Sequence, residues 1–161
     1  MNLIGQNARK ACLKRINTKI KNKVLKKYAL LLDKEKNSIL KANTKDVKLA
    51  IKKGLKNNLI DRLTVDQKKL SNIKNAINNI AKLKDPVDNV LKKWGRPNGL
   101  KIKKVSIPIG VIGIIYESRP NVTSDVASLC FKSGNAVILK GGSEAINTNK
   151  ILAKLFRRAL K

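Results

Sequence analysis

A short polar segment, Lys140-Gly141-Gly142-Ser143-Glu144, follows an apolar run and carries residue types that suit a phosphorylated ligand. In many dinucleotide sites an acidic residue near the end of the second strand accepts hydrogen bonds from the ribose 2′-hydroxyl. Here that position holds Lys140, followed by two glycines and a hydroxyl group. A cation, a flexible backbone and a hydroxyl favour an additional phosphate, and therefore NADPH over NADH. The residues leave one alternative open, a solvated lysine followed by a turn into a helix.

Other residue types with catalytic chemistry are scarce. The chain contains no histidine, which removes the commonest general base and excludes a Ser-His or Cys-His mechanism within these residues. Cys12 and Cys130 lie far apart in helix-like segments, so neither a disulfide framework nor a zinc site is expected. We interpret both cysteines as structural, because free cysteine is among the most buried residue types.

The region 100–161 predicts the elements that would position the Lys140 segment. The apolar run 109–116 suits a parallel strand covered on both faces, 122–132 a helix, 136–139 a second buried strand and 144–161 a last helix. Strand, helix, strand, helix is a βαβα unit with a parallel sheet. Such sheets bind ligands at the carboxyl ends of their strands, although the fingerprint G-x-G-x-x-G is absent. The predicted fold class is α/β, a Rossmann-like partial parallel sheet preceded by helices.

The region 1–82 is predicted to be helical. Apolar residues recur at helical spacing between lysines, as at Val24, Leu25, Tyr28, Leu31 and Leu32. These stripes need a partner surface, and the rest of the chain is the simplest one.

Three local signals add detail to this outline. Asn43 or Thr44 is expected to cap a helix. Thr64 with Gln67 three residues later predicts a capping box. The alternation of apolar and basic residues over 100–108 predicts an exposed strand.

The charge is the most extreme feature of the composition. The chain has 37 basic and 10 acidic residues, a formal net charge of +27. Such a charge suggests an acidic partner, either nucleic acid or an anionic surface. The alternative is solvated helix surface, which we favour because stacking aromatics and recognisable nucleic-acid modules are missing. A basic binding protein therefore stays open as an alternative function.

No apolar run approaches the roughly 20 residues of a membrane span, and the first residues lack the layout of a signal peptide. We expect a cytoplasmic protein without a membrane partner.

Several segments together resemble the γ-glutamyl phosphate reductases (glutamate-5-semialdehyde dehydrogenases) of the aldehyde dehydrogenase superfamily. They are IPIGVIGIIYESRPNVT at 107–123, KSGNAVILKGGSEA at 132–145, DRLT at 61–64, DPV at 85–87 and WGRPNGL at 94–100. The similarity runs from about Ala8 to Leu160. No single segment is specific, but their order and spacing are.

The resemblance implies an enzyme of proline biosynthesis that reduces L-glutamyl 5-phosphate with NADPH to L-glutamate 5-semialdehyde, releasing phosphate. In such enzymes a cysteine thiolate displaces phosphate to form a thioester, and hydride transfer then releases the aldehyde.

The resemblance also assigns residue roles. Asn121 matches an asparagine that helps to hold the oxyanion, with a turn or cap role as the alternative. Lys140, Ser143 and Glu144 match positions that hold the adenosine ribose and its phosphate, and the glycines between them belong to the same cofactor segment. Arg119 suits an acidic substrate, although an ion pair with Glu117 or Asp125 fits equally well.

Neither cysteine matches the family's nucleophile. Residues 1–161 are therefore expected to form a partial NADP-binding domain, consisting of the helical region 1–82 and the βαβα unit within 100–161. The catalytic domain is expected to lie outside this chain, in a separately encoded C-terminal half if the gene is split, and the chain alone is expected to be inactive.

Overall fold

The computed structural model describes residues 2–161, in which seven α-helices and four β-strands form. They are α1 (Asn2–Cys12), α2 (Thr18–Lys34), α3 (Lys36–Lys52), α4 (Asn57–Leu63), α5 (Gln67–Lys82), β1 (Val90–Gly95), β2 (Lys101–Val105), β3 (Val111–Tyr116), α6 (Pro120–Lys132), β4 (Ala136–Gly141) and α7 (Ile146–Leu160), with a 3₁₀ turn at Ser143–Ala145. The predicted α/β class is confirmed, because helices come first and β3, α6, β4 and α7 then follow in the predicted order.

The main core lies where α2 packs against both α5 and α7. Leu25, Leu32 and Ile77 from the helical region and Leu152 from α7 are almost completely buried. Burying one such side chain contributes roughly 1.5–3 kcal/mol. The apolar stripes of the N-terminal helices therefore pack against one another and against the βαβα unit, which agrees with the prediction that the rest of the chain is their partner.

Tyr28 places a polar group inside this core. Its hydroxyl group forms hydrogen bonds with Ser124 Oγ of α6 at 2.7 Å and with the carbonyl oxygen of Leu152 at 3.4 Å. The Phe156 ring meets the Tyr28 ring edge to face, with 5.0 Å between centroids. Burial raises the pKa of the Tyr28 phenol, and the Ser124 hydrogen bond lowers it by less. A satisfied hydroxyl at this depth orients α6 and α7 relative to α2.

Asp46 links α3 to the beginning of α7. Its carboxylate accepts hydrogen bonds from the backbone N–H groups of Asn147 (3.1 Å) and Thr148 (2.7 Å), and from the side chains of the same two residues at 2.7 Å each. The residue is 1% exposed. The first N–H groups of a helix lack partners within the helix, so a carboxylate from another helix satisfies them here and interacts favourably with the helix dipole.

The predicted helix start at Asn43 or Thr44 is wrong, because α3 continues through both residues. The Asn43 side chain is buried and bonds across the chain instead. It donates to the Leu63 carbonyl oxygen at 2.9 Å and to Thr148 Oγ1 at 3.2 Å, and it accepts from the Val65 N–H at 2.7 Å. An asparagine within a helix is thus used as a tertiary connector rather than as a cap.

The predicted capping box at Thr64 is also wrong, since α5 begins two residues later. Asp66 is the N-cap, and its carboxylate accepts from the Lys69 N–H at 2.6 Å. Thr64 Oγ1 instead donates back to the Ile60 carbonyl oxygen at 2.8 Å, at the end of α4. Aspartate and threonine can both cap a helix, and the preceding helix decides which of them does.

The strands β3 and β4 form a two-stranded parallel sheet in continuous register, from Val111 opposite Ala136 to Tyr116 opposite Gly141. The helix α6 connects them, and α1 packs mainly against β4. The prediction that both faces of β3 would be covered is wrong, because Ile115 is 78% exposed. With α1 mainly over β4, alternate residues of β3 (Val111, Gly113 and Ile115) stay exposed.

The predicted exposed strand at 100–108 corresponds to β2, but it pairs with β1 in an antiparallel hairpin outside the parallel sheet. The turn between them contains Asn98-Gly99, and Gly99 has a φ of +83°, a conformation that glycine adopts readily. Asp85 anchors the approach to the hairpin, accepting hydrogen bonds from Lys21 Nζ at 2.9 Å and Thr18 Oγ1 at 2.8 Å. Although partial burial raises the Asp85 pKa, these bonds and one from the Val87 N–H hold it below its ordinary value.

Asp46→Asn is expected to lower the free energy of unfolding by about 2 kcal/mol, because the buried site loses its charge and one acceptor oxygen while four donors remain. Urea unfolding followed by far-UV circular dichroism measures the change. Asp61→Asn, on the exposed side of α4, is the matched control and should leave stability within about 0.5 kcal/mol. Equal stability of the two variants would contradict the role of Asp46.

Candidate functional site

The segments that follow β3 and β4 meet at the carboxyl edge of the parallel sheet. Tyr116 and Gly141 lie opposite each other as the last residues of the two strands, and the Gly142 N–H donates to the Tyr116 carbonyl oxygen at 2.9 Å. Residues 117–121, called the 117–121 loop below, lead from β3 into the first turn of α6 and carry Arg119 and Asn121. They therefore lie beside the 142–145 turn. The structure brings together the two groups of residues that the sequence suggested.

A carboxylate joins these two segments. Glu144 Oε1 accepts hydrogen bonds from the Ser118 backbone N–H at 2.6 Å and from Ser118 Oγ at 3.1 Å. Partial burial raises the pKa of Glu144. Hydrogen bonds from the N–H groups of Glu144 itself and of Ser118, and from the Ser118 hydroxyl, together lower it by more, so the pKa lies below its ordinary value. Glu144 is thus held in its ionised form.

Gly142 is required by the position of that carboxylate. A Cβ atom added to Gly142 would overlap both oxygen atoms of Glu144. Gly141 is confined in the same way, because an added Cβ would overlap Asn149 Nδ2 and would lie 3.0 Å from the Tyr116 ring. The two glycines therefore allow side chains from α7 and the 3₁₀ turn to approach the backbone of β4.

Behind Gly141, three polar side chains form a hydrogen-bonded row, in which Thr123 and Asn149 are buried and Tyr116 is half-buried. Tyr116 and Thr123 share a hydrogen bond of 2.5 Å between their hydroxyl oxygens, and Thr123 Oγ1 donates to Asn149 Oδ1 at 2.9 Å. Asn149 Nδ2 is buried and has no hydrogen-bond partner in the described part of the chain. This hydrogen-bonded row joins the end of β3 to α6 and α7. None of its members was predicted as a site residue, and polar residues within helices give no separate signal in the sequence.

Asn121 and Arg119 lie on the exposed side of the 117–121 loop. Asn121 is the second residue of α6, and its Nδ2 donates to Asp125 Oδ2 at 3.0 Å. Burial raises the pKa of Asp125, and the hydrogen bond from Asn121 lowers it by less. Arg119 forms no ion pair with Glu117 or Asp125 within 4.0 Å in the described residues. The guanidinium group is thus free to bind an anion.

The cofactor candidates Lys140 and Ser143 are exposed at the same edge, on either side of the two glycines. The N-terminus of α7, in contrast, is closed to a phosphate, because the Asp46 carboxylate already binds the N–H groups of Asn147 and Thr148. An anion at this edge would be bound by side chains rather than by the helix N-terminus that often holds phosphates.

The two cysteines have different environments. Cys130 is buried on α6, and burial raises the pKa of its thiol, which is the opposite of what a nucleophilic thiolate requires. Cys12 ends α1, where its thiol donates to the Arg9 carbonyl oxygen at 3.1 Å. The structural role predicted for Cys130 agrees with this burial.

An open cleft of about 1670 Å³ runs along β4 between α1 and α7. Ala8, Leu139 and Phe156 contribute to its apolar lining, and Lys140 and Lys150 lie at its surface. β4 pairs only with β3, so its other edge is without a strand among the described residues. No group of metal-ligating side chains and no helix with the length and hydrophobicity of a membrane span occurs within residues 2–161.

Comparison with known proteins shows an extensive similarity. The chain is 48% identical over 149 residues to a γ-glutamyl phosphate reductase of Persephonella marina, a match that covers 92% of this chain and 34% of that protein. It is 54% identical over 149 residues to a γ-glutamyl phosphate reductase of Nitratiruptor sp., covering 92% of this chain and 36% of the relative. The chain thus spans about a third of the length of the curated relatives it matches. No family model matches it.

Solved structures agree with these relatives. The γ-glutamyl phosphate reductase of Thermotoga maritima superposes with a TM-score of 0.92 at 44% identity, over 96% of this chain and 38% of that one. An NAD-dependent benzaldehyde dehydrogenase of Corynebacterium glutamicum shares the fold, with a TM-score of 0.70 at 17% identity, over 96% and 32% of the two chains. The resemblance to γ-glutamyl phosphate reductases and the aldehyde-dehydrogenase-type fold are confirmed.

Gly141→Ala is expected to destabilise the protein by about 1–3 kcal/mol, because the new methyl group displaces Asn149 and disrupts its hydrogen bond with Thr123. Gly113→Ala is the matched control, since Gly113 lies in β3 and a Cβ there has no neighbour within 4 Å. Chemical denaturation of both variants measures the difference. A Gly141→Ala variant as stable as its control would show that the packing at this edge is loose.

Proposed function

We propose that this chain is the N-terminal portion of a γ-glutamyl phosphate reductase, which reduces L-glutamyl 5-phosphate to L-glutamate 5-semialdehyde and phosphate with NADPH. The similarity to such reductases over nine-tenths of the chain carries the proposal. The geometry supports it, because the 117–121 loop and the Lys140–Glu144 segment lie side by side at the carboxyl edge of the parallel sheet.

The residues at this edge suit the adenosine end of NADPH. Lys140 is exposed and suits the 2′-phosphate, and the exposed Ser143 hydroxyl, on the other side of the two glycines, is proposed to donate to the same group. Glu144 Oε2 accepts no hydrogen bond from another residue in the described part of the chain and is available to a ribose hydroxyl. Gly141 and Gly142 add no side chain that would obstruct a ligand. When bound, NADPH supplies the hydride of the reaction.

Asn121 is proposed to donate its side-chain amide to the oxyanion of the reacting carbonyl group. In the structure one hydrogen of Nδ2 is directed to Asp125, which orients the amide and leaves its second hydrogen for a substrate. A donor held in advance at a position where negative charge develops stabilises the transition state.

Arg119 is proposed to bind an anionic group of the substrate. Its side chain is exposed and without an ion-pair partner within the described residues, and L-glutamyl 5-phosphate offers both a carboxylate and a phosphate. The planar guanidinium group donates to either of them in a two-pronged arrangement.

Residues 1–161 are proposed to form part of an NADP-binding domain, with the nucleophilic cysteine supplied from outside this chain. The raised thiol pKa of the buried Cys130 supports an external nucleophile. A separately encoded C-terminal half is the partner that we propose for a split gene, and the strandless edge of β4 offers it a surface on which to extend the sheet. We also propose a cytoplasmic location, as expected of this biosynthetic chemistry.

The alternative of a basic protein that binds nucleic acid or an anionic surface is not favoured. The similarity to the reductases covers the lysine-rich helices as well as the βαβα unit, so these helices are accounted for as part of an enzyme domain.

A chimaera in which this chain replaces the matching third of the Nitratiruptor sp. reductase tests the proposal. We expect oxidation of NADPH that depends on L-glutamyl 5-phosphate in the chimaera, and none with residues 1–161 alone. Asn121→Ala in the chimaera is expected to lower kcat about 10²–10³-fold, whereas Asn75→Ala on the exposed side of α5 should leave it unchanged. A folded but inactive chimaera, or an isolated chain that is active, would contradict the proposal.

Lys140→Ala in the same chimaera is expected to raise the KM for NADPH about tenfold, because a charged contact to the 2′-phosphate is lost. The KM for NADH, which lacks this phosphate, should stay the same. Lys104→Ala on the exposed hairpin removes the same charge away from the site and serves as the control. Equal changes in the KM values for NADPH and NADH would show that Lys140 does not bind the 2′-phosphate.

A further inference from the structure

Ser118 adopts a backbone conformation that is unusual for serine. Its φ is +42°, in the left-handed region that residues other than glycine visit in only a few per cent of cases. The residue is nevertheless 5% exposed and lies between β3 and α6. A buried residue persists in such a conformation when its surroundings determine it.

The determinant visible in the structure is Glu144. Both donors of Ser118, its backbone N–H and its hydroxyl group, bind the same carboxylate oxygen, Oε1. The neighbouring side chains of Glu117 and Arg119 make no hydrogen bond within the described residues. Without Glu144, the buried N–H of Ser118 would lose its partner, at a cost comparable to a lost hydrogen bond.

We infer that Glu144 is a positioning residue, which sets the conformation of the 117–121 loop through Ser118 and thereby the placement of Arg119 and Asn121. The significance of this role for catalysis rests on the function proposed above. The strain stored at Ser118 is typical of loops that hold functional groups in place.

The second oxygen of the same carboxylate extends the inference. Glu144 Oε2 has no partner in another residue of the described chain, while Oε1 is occupied by Ser118. A ribose hydroxyl can donate to Oε2 without displacing Ser118. A single side chain then contacts the cofactor and holds the substrate loop, so that occupation of the adenosine end orders the loop that carries Arg119 and Asn121.

The position of the Glu144 carboxylate depends on the absence of a side chain at Gly142. An added Cβ would overlap Oε1 and Oε2 together, so a side chain at this position pushes the carboxylate away from Ser118. The Gly141-Gly142 segment that follows Lys140 is thus constrained by the positioning residue as well as by any ligand.

Amide hydrogen exchange of residues 1–161, resolved by NMR, tests the positioning role. Glu144→Ala is expected to raise the exchange rate of the Ser118 amide about tenfold or more, while core amides of α2 and α5 keep their rates. Glu144→Gln, which retains an acceptor oxygen, should restore much of the protection. Asp61→Ala removes an exposed carboxylate of α4 and should leave Ser118 unaffected. Unchanged Ser118 exchange in Glu144→Ala, or no rescue by glutamine, would overturn the inference.

A milder variant keeps the test decisive if Glu144→Ala does not fold. Ser118→Ala removes only the hydroxyl hydrogen bond and adds no bulk. It is expected to raise the exchange rate of the amide at position 118 about threefold, and no change there would count against the role of Glu144.

Titration with adenosine 2′,5′-bisphosphate tests the link to the cofactor. In the unaltered chain, the probe is expected to shift the amide resonances of Ser118, Arg119 and Asn121, and in Glu144→Ala these shifts should disappear. Binding that leaves the loop resonances unmoved would overturn the link but keep the proposed cofactor site. Absence of binding to any variant would count against the proposed function, while the exchange rates still decide whether Glu144 positions the loop.

Discussion

The buried carboxylate of Asp46 holds the helical region and the βαβα unit in one arrangement, and the geometry of the site depends on it. It binds residues more than a hundred positions away, at the beginning of α7. The 3₁₀ turn with Glu144 immediately precedes α7, so a shift of this helix would move the carboxylate that holds Ser118. Four hydrogen bonds to one buried charge make such a shift costly.

Carboxylates act as anchors in a chain that has few of them. Of the 10 acidic residues, Asp46, Asp66, Asp85 and Glu144 each accept a hydrogen bond from at least one backbone N–H group. Backbone donors at turns and helix ends are satisfied in this way. Most of the lysines, in contrast, lie on the surface, where charge is solvated and screened. The net charge of +27 therefore arises mainly from surface lysines, whereas the few acidic side chains hold helices, strands and turns against one another.

Features that repeat along the chain were predictable, and features that depend on one distant partner were not. The stripes of the helices and the apolar runs of β3 and β4 reflect periodicity, which local sequence records. The errors at Asn43 and Thr64 share another cause. Asn43 has the chemistry of a cap but bonds to Leu63, Val65 and Thr148. Several residues near a helix start can cap it, and packing selects among them. The hairpin of β1 and β2 had a usable signal in Asn98-Gly99, but β1 lacks a regular alternation of apolar and basic residues that would have indicated a strand.

The sequence by itself determined the α/β class, the order of the βαβα elements and the resemblance of several motifs, because each of these resides in local pattern and residue type. It also identified Lys140, Arg119 and Asn121 as candidates. Tertiary structure alone decided that Glu144 binds Ser118, that Asp46 closes the N-terminus of α7 and that Asn149 lies against Gly141. These contacts depend on where two elements cross in space. Residue type states what a side chain can bind, and only the fold determines what lies within its reach.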